Sequence, residues 1–291
     1  MNTTHLNHRV AAYIVLLIFI TLAANALASQ FKDSPVVSLI VMSSPALAAL
    51  IASLLTHRSL KDIGWRLLPV KWMALGWVLP MLYALPAYAL VWFTGLGGIP
   101  NPTFLERARL TLNMPLGSDG IVIVSAFFYI TLVNLIPAMI FSLGEEIGWR
   151  GYLVPELTKS VGFRNASLLS GVLWVAWHLP GIFAGSYGST GTPKAYQIAC
   201  FTAMVITTGV ILAWLRMKSG SIWPVAIMHA THNGLIQTFL NRITIDKGNT
   251  QYFTGEFGVM LIPFAFIIAW YVWNRPPNTN DQQSLKHMNK E

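Results

Sequence analysis

Apolar stretches of about twenty residues follow one another along this chain with only short polar breaks, and that is the length at which a helix spans the roughly 30 Å hydrocarbon core of a bilayer. Eight such runs are visible, at residues 10–28, 36–55, 74–93, 121–143, 166–184, 195–215, 222–240 and 257–273. A soluble chain carries roughly 25% charged residues. This one carries 10% over 291 residues, too few to cover a water-facing surface. The short alternating segments of a β-barrel are absent from it. The expectation is an all-α polytopic membrane protein of about eight transmembrane helices in a single domain. Its parts are three N-terminal helices with surface connectors (1–120), a core (121–241), and a last helix with a disordered tail (242–291). The first run ends in Ala26-Leu27-Ala28, which resembles a signal-peptidase site, but it exceeds the 7–15 residues of a secretory h-region and is expected to be retained.

The net charge of +8 is dispersed over short loops, where it orients a membrane protein rather than binding nucleic acid. With both termini inside, the cytoplasmic segments hold thirteen Lys and Arg and the outer ones six, as the positive-inside rule requires. An integral plasma-membrane protein of bacterial type with cytoplasmic termini is the expected localisation, with the bilayer as a partner and no nucleic acid. Cys200, the single cysteine, lies in an apolar run. It makes neither a disulfide framework nor a thiolate metal site, and reads as buried filler.

Against this apolar background the stretch Ser142-Leu-Gly-Glu-Glu-Ile-Gly-Trp-Arg-Gly151 stands out. Glu145 and Glu146 close the fourth run side by side, or lie somewhat deeper if that helix is tilted or continues toward Pro155, and an ionisable residue at a membrane segment marks a functional site by default. Arg150 lies at i+4 from Glu146, placed to hold one carboxylate ionised. Adjacent residues diverge by about 100° on a helix, so the two glutamates differ in role. Gly144 and Gly148, one turn apart, form a small face for close approach of another helix. Two further runs carry histidines. His178 follows Trp174 by one turn, and His229 shares a helix face with Asn233. Trp174, on the face of His178, can wall the imidazole. At 1.5 Å per residue, His178 lies roughly 18 Å and His229 roughly 10 Å from the inner end of their runs, and the set is expected to converge in the inner half of the membrane. His232 reads as a bystander, and His5, His8, His57 and His287 lie in surface segments.

A carboxylate beside an imidazole can deprotonate water and return the proton to a leaving group. A histidine paired with an asparagine amide can donate hydrogen bonds to a developing oxyanion. Together these groups fit hydrolysis of a peptide or ester by activated water. Glu145, His178 and His229 with one water are also an adequate Zn²⁺ shell. However, the sequence has no HExxH, nor a GxSxG nucleophile elbow.

The ordered set Glu145-Glu-x-x-x-Arg150, Trp174-x-x-x-His178 and His229-x-x-x-Asn233 resembles the three motifs of the CPBP or ABI family, which comprises type II CAAX prenyl endopeptidases and bacterial proteins related to bacteriocin processing and self-immunity. The resemblance covers about residues 121–240. It implies an eight-helix intramembrane endopeptidase with a cavity open toward the cytosol and a peptide or protein substrate, in some relatives lipidated. By the same resemblance Glu145 is the water-activating carboxylate assisted by His178, His229 and Asn233 stabilise the oxyanion, and Glu146 and Arg150 shape the site. Trp174 stands where phenylalanine is common, a departure expected to leave the chemistry unaltered. A metal-free mechanism is favoured because Asn233 suits oxyanion donation better than zinc ligation. The competing readings are a zinc form of the same protease, a non-enzymatic immunity or adaptor protein, and a proton-coupled transporter. No twofold hydropathy repeat supports the last of these.

Overall fold

A computed structural model describes residues 3–31, 34–67 and 70–277. The expected disordered tail and His287 lie outside the described residues. Twelve α-helices follow in order among them: α1 (Thr3–Gln30), α2 (Pro35–Met42), α3 (Ser44–Leu55), α4 (Val70–Phe93), α5 (Pro102–Leu112), α6 (Asp119–Phe128), α7 (Leu135–Glu146), α8 (Val154–Ala184), α9 (Lys194–Ser219), α10 (Trp223–Asn233), α11 (Asn241–Ile243) and α12 (Leu261–Trp273). π-helical segments extend α6 (Tyr129–Val133), join α7 to α8 (Ile147–Leu153) and join α10 to α11 (Gly234–Leu240). No strand occurs among the described residues, only an isolated bridge between Gly98 and Ile245. The all-helical membrane class expected from the sequence is therefore what the chain adopts.

Four helical stretches are long and apolar enough to cross a membrane: His8–Gln30, Val70–Phe93, Leu135–Ala184 and Lys194–Ser219. A fifth crossing is formed if the pair 36–42 and 44–55, bent by 56°, counts as one. Two of the eight expected runs are shorter as helices. Asp119–Val133 stops where Asn134 breaks the fourth run, and the last run becomes helical only at Leu261. The run at 222–240 is helical from Trp223 through Leu240 and is interrupted chemically by His229, His232, Asn233 and Gln237.

The largest departure from expectation concerns the segment after the paired glutamates. The helix does not end there. It continues through the π segment to Val161 and reverses at Gly162, whose φ of 76° and ψ of 165° are non-helical and suit a residue without Cβ. The two arms of this hairpin face each other, since the Arg150 guanidinium lies 4.1 Å over the Trp174 ring. Glu145 and Glu146 thus sit within a long rod rather than at its mouth. The bend between α2 and α3 rests on the small face of that rod. A Cβ on Gly148 would lie 2.5 Å from the carbonyl oxygen of Pro45, and one on Gly144 3.1 Å from that of Met42, so the close approach read from these two glycines is present.

The two ends of the bundle are each tied by their own connections. At one end, Ile222 donates its N–H to Gly64 at 2.8 Å, Arg216 donates to the carbonyl of Asp62 at 2.9 Å, and Arg58 pairs with the fully buried Glu156 at 2.9 Å. At the other, Asn101 donates to Ile243 at 2.8 Å, Trp92 bonds Thr244 at 3.0 Å, and Tyr196 bonds the Tyr252 carbonyl at 2.5 Å. Between the ends runs the main core, from Tyr13 and Tyr83 to Phe201 and Leu235, with a smaller cluster of Val154, Phe163, Ala213 and Met217 apart from it. Cys200 is buried.

Candidate active site

The buried polar groups cluster on three helices that the core holds together. Glu145 is 2% exposed, Glu146 and Arg150 0%, and His229 6%. Burial of charge at this level is tolerated only where the charges are paired. Glu146 Oε1 accepts from Arg150 Nη1 at 2.8 Å and from His229 Nδ1 at 2.8 Å. Arg150 keeps Nε and Nη2 without protein hydrogen bonds, and the face of Trp174 covers its guanidinium, a favourable placement for a desolvated cation.

Glu145 faces the other way. Its Oε2 accepts from Trp174 Nε1 at 2.6 Å, and its side chain lines a cavity of about 460 Å³. His178, His229 and Asn233 line the same cavity. The Nδ1 of His178 lies 2.9 Å from the backbone oxygen of Trp174. A carbonyl only accepts, so Nδ1 carries the proton and Nε2 of the neutral ring is left as a lone-pair acceptor. The ring is further walled by Trp177, Phe201 and Tyr187, with centroids at 4.7, 5.1 and 5.4 Å. All six residues singled out from the sequence therefore come together. Four line the cavity, and Glu146 and Arg150 form its sealed floor.

Trp174 does more than wall an imidazole. It donates to Glu145, presents its carbonyl to His178 and stacks on Arg150. Phenylalanine lacks the donor that makes the first of these contacts, so this departure from the family pattern alters the surroundings of the carboxylate.

His232 also lines the cavity and is no bystander to it. Its Nδ1 meets Tyr83 Oη at 2.5 Å and its Nε2 meets Glu256 Oε1 at 2.8 Å. Glu256 accepts in addition from Gln237 at 3.1 Å and from the Tyr187 hydroxyl. Burial raises the pKa of Glu256, but its hydrogen bonds and the charge of His232 outweigh that and hold it at about 2. Burial, reinforced by the same carboxylate, pushes the Tyr187 hydroxyl well above its ordinary value. Glu256 thus braces the ring that packs on His178 and the turn of α10 that carries Asn233. The only sequence signal for it was an acidic residue bordering an apolar run.

The positions of the π segments bear on the site. One begins directly after Glu146 and the other directly after Asn233. A π turn shifts the helix register and recurs at functional sites. Among the described residues no three His, Cys, Asp or Glu side chains lie close enough to hold one metal ion. The Nδ1 of His178 and of His229 and one oxygen of Glu145 are taken by protein partners, which leaves Nε2 of each ring and the second Glu145 oxygen as the atoms these residues could offer to a ligand.

The comparisons with known proteins agree with this picture over its central part. A curated relative, CAAX prenyl protease 2 of Methanococcus maripaludis, is 32% identical over 78 residues, which is 26% of this chain and 28% of that protein. The chain is thus aligned with little more than a quarter of that relative's length. The resemblance read from the three motifs is borne out: residues 120–235, which carry every site residue named from the sequence, match the family described as type II CAAX prenyl endopeptidase Rce1-like.

Proposed function

We propose that this protein is a membrane-embedded endopeptidase that hydrolyses a peptide bond with water activated in the cavity described above. The observation that carries the reading is the convergence of Glu145, His178, His229 and Asn233 on one cavity, above a floor of Glu146 and Arg150. In this mechanism water sits between Glu145 and the lone pair of His178 Nε2. Glu145 takes the proton as the water oxygen attacks the scissile carbonyl, and later delivers it to the leaving amine. The Asn233 amide and His229 Nε2 stabilise the oxyanion. His229 already uses Nδ1–H on Glu146, so it must be the imidazolium to donate from Nε2 as well, with Glu146 as counter-ion. Glu145, Glu146, Arg150 and His229 then sum to zero charge, which suits their burial.

The substrate is a peptide segment at or in the membrane. Phe201, Met204, Leu212 and Met228 on the cavity wall offer contact to apolar side chains. In this reading the mechanism is carried by these side chains alone, since among the described residues no three His, Cys, Asp or Glu side chains lie close enough to hold one ion and Asn233 suits oxyanion donation better than zinc ligation.

The test is cleavage of a quenched-fluorescent peptide library by purified wild type, Glu145→Ala and His178→Ala proteins, with and without a chelator. Cleavage by the wild type and none by either variant is expected, with chelator having no effect. Cleavage that persists in both variants sinks the assigned mechanism. Loss on chelation with recovery on added Zn²⁺ establishes the metal-dependent form instead.

A further inference from the structure

A crevice of about 370 Å³ lies apart from the catalytic cavity and shares no lining residue with it. Its walls come from α5, from the second half of α6 with its π extension, and from the π segment that leads into α11. α5 has the make-up of a helix lying in a membrane interface. Its buried face of Phe104, Leu105 and Ala108 is fixed to the bundle, with the Phe104 ring edge-on to Phe239 at 5.6 Å. Leu110 is nevertheless 77% exposed, and Leu116 just beyond the helix 98%, in a segment that also carries Arg107 and Arg109. The α6 rod turns Val124, Phe128 and Leu132 outward, a surface suited to lipid tails. The neighbouring stripe of Ala126, Tyr129 and Ile130 lines the crevice.

The polar side of the crevice holds Arg107 and Arg242 and no Asp or Glu. Both arginines are exposed, and among the described residues neither makes an ion pair or a hydrogen bond within the protein. Arg109 differs on each count. It is paired with Asp119, donates to the Gly117 carbonyl at 3.3 Å, and does not line the crevice. Two unpaired guanidiniums beside an apolar wall complement one ligand chemistry, a phosphate ester that carries acyl chains. The planar guanidinium fork matches phosphate oxygens in pairs, and basic pockets between membrane helices hold anionic head groups in this way.

We infer that this crevice binds an anionic phospholipid, with the phosphate held between Arg107 and Arg242 and an acyl chain laid along Ala126 and Ile130 toward the exposed face of α6. A soluble phosphate would pair with the arginines but leave the apolar wall against water. A zwitterionic lipid would bring a cation to the same two guanidiniums. The site lies outside the residues of the proposed hydrolase, and it stands or falls separately from that reading.

Native mass spectrometry of the purified full-length protein in detergent tests it, with dioleoylphosphatidylglycerol, dioleoylphosphatidylcholine and inorganic phosphate as separate probes. The parent is expected to bind the phosphatidylglycerol in preference to the other two. Arg107→Gln and Arg242→Gln are each expected to weaken that binding about fivefold, and the double variant roughly thirtyfold. Arg109→Gln is expected to leave it unchanged. Both crevice arginines are exposed and unpaired, so each single variant keeps the fold, which circular dichroism checks. Equal binding of the two lipids by the parent overturns the inference, and so does undiminished phosphatidylglycerol binding in the single variants. Equal loss in Arg109→Gln and Arg107→Gln would reveal diffuse surface charge in place of this crevice, which also overturns it. Inorganic phosphate bound as tightly as the lipid would assign the arginines to a soluble anion and overturn the lipid site.

Discussion

His229 and Glu146, 83 positions apart in the chain, are joined by a 2.8 Å hydrogen bond to the same carboxylate oxygen that receives Arg150. One oxygen therefore couples the glutamate motif on α7 to the histidine motif on α10. Glu146→Gln removes the charge that compensates Arg150 at full burial, and breaking one partner of such a pair costs about 3–5 kcal/mol. A fall in thermal stability of that order in detergent is expected, along with lost activity. A Glu146→Gln protein as stable as the parent would show that the floor is not held by this charge.

Glu145→Gln behaves differently. The amide oxygen still accepts from Trp174, so the fold persists, but water is no longer deprotonated. Cleavage by Glu145→Gln and by His178→Ala is expected to drop by roughly 10²–10⁴, at nearly unchanged unfolding temperature. Asn233→Ala removes one oxyanion donor and should lower kcat by about 10²–10³ with little change in KM. A KM effect without a kcat effect would move Asn233 from the transition state to substrate binding.

Trp174→Phe isolates the indole N–H, since the ring face over Arg150 is largely kept. The lost bond to Glu145, 2.6 Å in the native protein, is charge-assisted and worth about 1.5–3 kcal/mol. Reduced kcat measured beside a retained KM checks whether Trp174 positions the carboxylate. Equal activity in both proteins would return it to a simple wall residue.

Glu256 supplies a pH prediction. Its pKa falls on folding from an ordinary 4.5 to about 2, so its contribution to stability is present above pH 4.5 and is lost as pH falls toward 2. Glu256→Gln is therefore expected to be less stable than the parent at pH 7, by about 1.5–3 kcal/mol for its charged hydrogen bonds. That gap should close between pH 4.5 and 2 in paired unfolding curves. A gap independent of pH would assign the loss to packing.

Gly148→Leu should be among the most damaging changes distant from the chemistry. Even a Cβ meets the backbone of Pro45 at 2.5 Å, and backbone cannot move aside as a side chain can. Overpacking of this kind costs about 1–3 kcal/mol or more. Limited proteolysis of the α2–α3 bend in the variant reports whether the two elements have separated.

The helical membrane class, the small face of Gly144 and Gly148, and all six candidate site residues were legible in the sequence. Hydrocarbon penalises each polar group, so the exceptions mark themselves by composition alone. That Glu145 and Glu146 face different ways also followed from helix geometry and the position of Arg150, whereas the choice of Glu145 as the base came from the family resemblance. What needed the tertiary structure depends on where the chain turns. No periodicity announced that the helix would run past Glu146 to Gly162, because a π segment and a left-handed glycine are local backbone choices fixed by packing. Hydropathy placed the glutamates at the end of a span. The hairpin instead sets them within a rod, with Glu145 on the cavity wall. Glu256, Tyr187 and His232 likewise became part of the site only through contacts between separate elements. A sequence shows which groups are expensive to bury, but which of them meet is decided by how the helices pack.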